Sequence, residues 1–310
     1  MSMNPSFDAL FEGIGMDYEW PLHHPETLAD GSKHWRDLPY DTPTGFRPLM
    51  LDVTTPSGPG PFPLVIFIHG GAWLMGHPTI SNPTYRKLDL FNRLKQAGYA
   101  VARVAYRFSS EAKFPTQLHD CRNAVRYLRK NASTLNVDDK RFAVMGDSAG
   151  GHLACLVGFT GNQAMLPGED VKIEASSHVS AIVNWFGPIN FLTMADQLLD
   201  KNWNSANDPS SPESRLIGGA VQEHKALARA ASPLSYVHKD LPPTLLQYGD
   251  LDRLVPFAQA EELAASLKSV GAPFTLSKIK GADHCFWGVD GKPVVDETIE
   301  FLNGTIGKTA

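Results

Sequence analysis

The stretch "VMGDSAGGH", residues 144–152, decides how this chain is read. It sets Ser148 between Gly146 and Gly150, with a further glycine at 151. "RFAV" before it is strand-like and "GHLACLVGF" after it reads as an apolar helix, so the serine stands at a strand-to-helix joint. A sharp turn there holds the serine in strained backbone geometry, and the flanking glycines remove Cβ atoms that would collide. The hydroxyl then stands exposed above the sheet. The next amide, that of Ala149, lies at a helix N-terminus where it can point at developing negative charge. Gly146-Asp147-Ser148-Ala149-Gly150 has the G-x-S-x-G spacing of a nucleophile elbow.

Outward from this joint the strand–helix alternation continues in both directions. "LVIFIH" (64–69) is a continuous apolar run expected of a strand buried on both faces, and "PLMLDVTTP" (48–56) alternates like a half-exposed one. "TYRKLDLFNRLKQAG" (84–98) and "PTQLHDCRNAVRYLRKNAS" (115–133) have helical spacing, with the strand "YAVARVAY" between them. "VSAIVNWF" (179–186), "PTLLQYG" (243–249) and "FTLSKIKG" (274–281) are further strands. Such alternation predicts an α/β fold, with parallel strands and helices on both faces. Residues 187–240 interrupt it with three short helical stretches, and an insertion of that length reads as a cap lying on the sheet. Residues 1–45 lack a sustained period and read as an irregular N-terminal arm with one or two short helices, ahead of a main domain over 46–310.

Composition excludes several function classes. The 310 residues are 43% hydrophobic and 20% charged, an ordinary globular balance. A net charge of −5 with no basic run lacks the positive footprint of a nucleic-acid binder. Cys121, Cys155 and Cys285 are too few and too scattered for a disulfide framework or a zinc site, and neither metal nor cofactor is expected. No apolar run approaches the roughly 18 residues of a membrane span. The first twenty residues lack a basic segment followed by an apolar core, so a cytoplasmic location is the expectation.

A neutral serine is a poor nucleophile and needs a base, which in turn needs an orienting carboxylate. In elbow enzymes these follow the serine in the order acid, then histidine. "YGDLDRLVP" offers Asp250 and Asp252, and "GADHCFWG" offers Asp283 and His284, both just past predicted strands. His178, His224 and His238 fall in the insertion or before a strand, without such placement. Upstream, "HGGAW" (69–73) ends the buried strand 64–69, at the end where open parallel sheets bind ligands. Its consecutive glycines let backbone amides approach a substrate oxygen. Trp73, Trp185 and Trp287 have core packing as their ordinary role, but their positions at or after strand ends make them candidates for lining a substrate pocket.

With "HGGAW", "GDSAGGH", "GDLDRLVP" and "GADHCFWG" in this order, the chain from about Pro61 to Phe301 resembles the α/β-hydrolase esterases. The branch in question holds short carboxylesterases and hemicellulose esterases and is related to the hormone-sensitive-lipase-like esterases. The resemblance implies a mostly parallel eight-stranded sheet and a helical cap over the active site. Its G-x-x-D-x-x-V pattern, laid from Gly249 to Val255, selects Asp252 over Asp250, giving a triad of Ser148, Asp252 and His284. The oxyanion hole would comprise the amides of Gly71, Ala72 and Ala149. Where hormone-sensitive-lipase-like esterases carry a third glycine this chain has Ala72, which keeps its N–H, followed by Trp73. The expected reaction is hydrolysis of short-chain or aromatic acyl esters of the acetyl or feruloyl type, acylated saccharides included. An arylformamidase or amidase using the same triad is the enzymatic alternative. A non-catalytic hydrolase fold would be expected to lack at least one triad member.

Overall fold

The computed structural model describes residues 22–43, 45–79, 83–200 and 206–307. In chain order these form β1 (Glu26–Thr27), β2 (Lys33–Asp41), β3 (Leu49–Thr55), β4 (Phe62–Ile68), α1 (Pro83–Lys87), α2 (Leu90–Gln96), β5 (Ala100–Val104), α3 (Thr116–Lys130), β6 (Val137–Asp147), α4 (Ala149–Phe159) and β7 (Ala181–Trp185). They continue as α5 (Phe191–Gln197), α6 (Pro212–Ile217), α7 (Lys225–Ala231), β8 (Thr244–Gly249), α8 (Phe257–Val270), β9 (Phe274–Ile279) and α9 (Lys292–Thr305). All nine strands join one sheet in the order β1-β2-β3-β5-β4-β6-β7-β8-β9. The first three pair antiparallel, and every pairing from β5 to β9 is parallel.

The sheet has nine strands where the resemblance implies eight, and the difference lies at the N-terminal edge. Glu26–Thr27 and Lys33–Asp41 fall inside the stretch that reads as an irregular arm, yet both are strands. Strand β2 hides its period because its register with β3 slips between Trp35 and Leu38. Asp37 sits at that slip with φ 49°, and its amide donates to Asp52. A bulge of this kind shifts the inward side chains by one place and erases the alternation that signals a strand. Residues 1–21 of the arm lie outside the described residues.

The helix expected over 84–98 is two. Asp89 adopts φ 50° and becomes the N-cap of α2, where its carbonyl accepts from Arg93 and its carboxylate from Asn92. The three helical stretches expected in 187–240 are α5, α6 and α7.

Strand β4 is buried along its whole length, as its unbroken apolar run requires. Each such Leu, Ile or Val contributes ~1.5–3 kcal/mol on leaving water. Register matters more for function than burial does. Ile68 faces Gly146, Asp147 faces Trp185, Trp185 faces Gln247, and Gly249 faces Ile279. Strands β4, β6, β7, β8 and β9 therefore end along one edge, and the segments leaving them begin side by side.

Candidate active site

Ser148 occupies the turn between β6 and α4 with φ 50° and ψ −121°. A non-glycine residue in this region stores on the order of 1–3 kcal/mol of strain and needs its surroundings to hold it. Here the Ser148 amide donates to the Trp185 carbonyl at 2.8 Å, and its carbonyl accepts from His152 at 3.0 Å. The glycines are forced by contact. A Cβ on Gly150 would lie 2.0 Å from the Ile68 carbonyl oxygen, and one on Gly146 would lie 2.3 Å from the Gly150 carbonyl.

The loops after β8 and β9 bring Asp252 and His284 to this serine. His284 Nε2 is 3.1 Å from Ser148 Oγ, and His284 Nδ1 is 2.8 Å from Asp252 Oδ2. Asp252 is fully buried, and its other oxygen accepts from the amides of Leu254 and Val255. With Oδ1 occupied by the backbone, Oδ2 is aimed at the imidazole. Asp250 plays a different part, since its carboxylate accepts from the Gly281 amide at 2.6 Å and ties the two loops together. Asp283 accepts from the amides of Arg253 and His284 and from the Arg253 guanidinium, a second tie between the same loops. Phe186, at the end of β7, packs edge-on against the His284 ring with centroids 4.8 Å apart.

The loop after β4 supplies amides. Gly71 has φ 118°, and Ala72 and Trp73 follow in the left-handed region at 56° and 55°. The Gly71 carbonyl accepts from both Leu74 and Met75, closing the turn. Among the described residues no acceptor is found for the amides of Gly71 and Ala72. Ala149 is the first residue of α4, whose opening amides have no partner within the helix. Asp147 fastens this loop to the elbow. Its buried carboxylate accepts from the Gly70 amide and the Tyr85 hydroxyl, each at 2.8 Å. Burial raises the Asp147 pKa despite these donors.

The three tryptophans expected at a pocket wall are not alike. Trp185 is fully buried, its indole N–H donating to Gln247 Oε1 at 2.6 Å, and it offers no surface to a substrate. Its side chain packs between Tyr85 and Phe286, where register with β8 places it. Trp73 is also buried, edge-on to His152 and Phe191. Its ring thus links the loop after β4 to α4 through His152 and to α5 through Phe191. Trp287 is exposed, three residues beyond His284.

Two side chains missed in the sequence shape the surroundings. His152, four residues after Ser148, reaches Ala231 at the end of α7 through Nε2 at 2.6 Å. Its ring stacks on Phe191 of α5, and burial lowers its pKa to about 4, so it is a neutral clamp between α4 and the insertion. Its place inside "GDSAGGH" was the available signal. Tyr85 carried none.

Among the described residues no group of His, Cys, Asp and Glu could hold a metal ion, and no helix is long and apolar enough to cross a membrane.

Comparison with known proteins agrees with this architecture. The chain is 27% identical over 282 residues to esterase LipQ of Mycobacterium tuberculosis (strain ATCC 25618 / H37Rv), covering 88% of this chain and 62% of that protein. It is 28% identical over 261 residues to esterase LipC of the same organism, covering 78% of this chain and 58% of that protein. The chain thus spans about three-fifths of the length of these relatives. A solved truncated form of a carbohydrate esterase from gut microbiota superposes with a TM-score of 0.75 at 29% identity, over 91% of this chain and 99% of that one. The fold is the α/β-hydrolase fold. Residues 51–267 match the BD-FAE family, and with more than two thirds of its length inside that match the chain belongs to the BD-FAE family.

Proposed function

We propose that the chain is a serine carboxylesterase acting on short-chain or aromatic acyl esters, acylated saccharides among them. The observation that carries this reading is the unbroken chain from Ser148 Oγ through His284 to the buried Asp252, on an elbow whose strain exposes the hydroxyl. In the proposed reaction His284 Nε2 takes the Ser148 proton as Oγ attacks the ester carbonyl carbon. The carbonyl electron pair moves to oxygen, and the amides of Gly71, Ala72 and Ala149 hold the resulting oxyanion. Asp252 keeps the Nδ1 proton in place and stabilises the imidazolium. That imidazolium then donates from Nε2 to the departing alcohol oxygen, leaving an acyl group on Ser148. Water enters, loses a proton to His284, and releases the acid by the same steps reversed.

The preference for short acyl groups rests on the filled space behind the oxyanion loop. Trp73, His152 and Phe191 pack on one another there, so a long chain finds no path in that direction. The insertion over 187–240 is proposed to act as a cap, since it contacts α4 through Ala231 and Trp73 through Phe191. The carbohydrate esterase among the structural relatives supports saccharide esters as the substrate class.

A kcat/KM series on p-nitrophenyl esters from acetyl to palmitoyl tests the reading, with Ser148→Ala as control and N-formyl aromatic amines alongside. The expected maximum lies between acetyl and butyryl, with at least a tenfold fall beyond roughly eight acyl carbons, about 1.4 kcal/mol of transition-state binding. A maximum at lauroyl or longer refutes the short-acyl reading. A formamide rate above every ester moves the chain to the amidases, and a Ser148→Ala variant with a tenth of parental activity removes the serine from the mechanism.

A further inference from the structure

The carboxylate beside the serine uses each of its oxygens for a different segment. Asp147 Oδ1 accepts from the Gly70 amide, immediately ahead of the proposed oxyanion amides, and Oδ2 accepts from the Tyr85 hydroxyl. The approach is close enough that a Cβ on Gly70 would lie 2.4 Å from Oδ2. Tyr85 comes from the short helix α1. Its ring is buried, edge-on to Phe67 of β4 and tilted on Trp185 of β7, which fixes where the hydroxyl points. One phenol therefore joins α1 to the elbow's carboxylate.

We infer that Tyr85 is a positioning residue for the oxyanion loop: its hydroxyl fixes the Asp147 carboxylate, which holds the Gly70 amide and so aims the amides of Gly71 and Ala72. This rests on the serine esterase reading. A carboxylate at this depth cannot turn to water when a partner is lost, and an unmatched oxygen carries a desolvation cost. Without the phenol the carboxylate must rotate toward another donor, and rotation moves the oxygen that anchors Gly70. Oxyanion donors act only when they meet the oxygen at 2.7–3.1 Å, and loss of a single donor costs about 10²–10³ in kcat. A displaced donor costs less than an absent one, and a fall of about tenfold is the expected scale.

The test uses Tyr85→Phe, which removes the hydroxyl and keeps the ring, together with Asp147→Ala and the double variant. For each, kcat and KM are measured on p-nitrophenyl acetate, with the inhibition constant of an aryl trifluoromethyl ketone and the thermal midpoint. The ketone carbonyl accepts Ser148 Oγ as a new C–O bond, the serine proton passes to His284, and the hemiketal oxygen carries the charge. Its affinity therefore reports the oxyanion hole. Tyr85→Phe is expected to lower kcat about tenfold, leave KM within about twofold, and weaken the ketone by the same factor as kcat. The double variant is expected to match Asp147→Ala alone, because the hydroxyl acts only through that carboxylate.

A kcat and ketone affinity both within twofold of the parent overturn the inference. So does a loss in kcat with the ketone unaffected, or a double variant whose losses multiply. If Tyr85→Phe does not fold, Asp147→Ala carries the same readout, and unchanged ketone affinity there overturns it equally. Ser148→Ala separates the two levels: an inactive serine variant beside a fully active Tyr85→Phe removes this inference alone, whereas an active serine variant removes the reading beneath it.

Discussion

Asp252→Asn changes one atom of the site and leaves its packing intact. In the parent, Oδ2 accepts the His284 Nδ1 proton at 2.8 Å while Oδ1 accepts the amides of Leu254 and Val255. The two backbone donors force the substituted side chain to keep its oxygen on their side. Its NH2 group then faces His284 Nδ1 and donates to it. A ring nitrogen that accepts is deprotonated, so the proton moves to Nε2, 3.1 Å from Ser148 Oγ. A protonated Nε2 cannot take the serine proton, and the productive tautomer becomes the rare one. Loss of tautomer control in such triads costs about 10⁴-fold, or roughly 5.4 kcal/mol in barrier. The assay is kcat/KM on p-nitrophenyl acetate, paired with a thermal melt. The melt is expected to stay within a few degrees because both backbone bonds survive. Asp250→Asn is the control: its carboxylate accepts one amide from Gly281, which an amide oxygen also accepts, and activity should stay within about threefold. A variant at 252 retaining a tenth of parental activity, or one at 250 that is equally damaged, refutes the reasoning.

Gly150→Ala should abolish activity and lower the thermal midpoint sharply, since the new methyl meets the Ile68 carbonyl oxygen at 2.0 Å and backbone there cannot yield. Gly304→Ala, in the open last turn of α9, should instead stabilise the fold by about 0.5–1 kcal/mol; equal melts for the two variants would contradict both contact readings. Glu213 is buried in α6, which raises its pKa from 4.5 to about 7. Between those values the folded chain holds a proton that the unfolded chain has lost, so stability falls as pH rises through the window, by up to about 3 kcal/mol. Glu213→Gln should remove that slope in urea midpoints taken at pH 5 and pH 8. Buried His69 and His152, each lowered to about 4, titrate alike in both proteins, so an unchanged difference between the two pH values refutes the assignment.

What was legible in the sequence is what short-range chemistry and strand register dictate. Parallel strands share a direction, so "HGGAW", "GDSAGGH", "GDLDRLVP" and "GADHCFWG", each written just after a strand, had to converge on one edge of the sheet. Small residues around Ser148 announced a turn too tight for side chains, and the contacts of Gly146 and Gly150 give the cause. Between Asp250 and Asp252 the residues alone left the choice open, and a family pattern favoured the second. The geometry separates them because the backbone amides of Leu254 and Val255 turn one carboxylate toward His284, while Gly281 claims the other. Contacts distant in the chain decided the rest. Trp185 ends a strand beside the site, yet packing by Tyr85 and Phe286 and a bond to Gln247 turn its indole into the core. The bulge at Asp37 depends on Asp52 in the next strand, so no period within 33–41 could reveal a strand there. Tyr85 reaches Asp147 across 62 residues of sequence, and only the packing of α1 against β4 and β7 makes that hydroxyl part of the site.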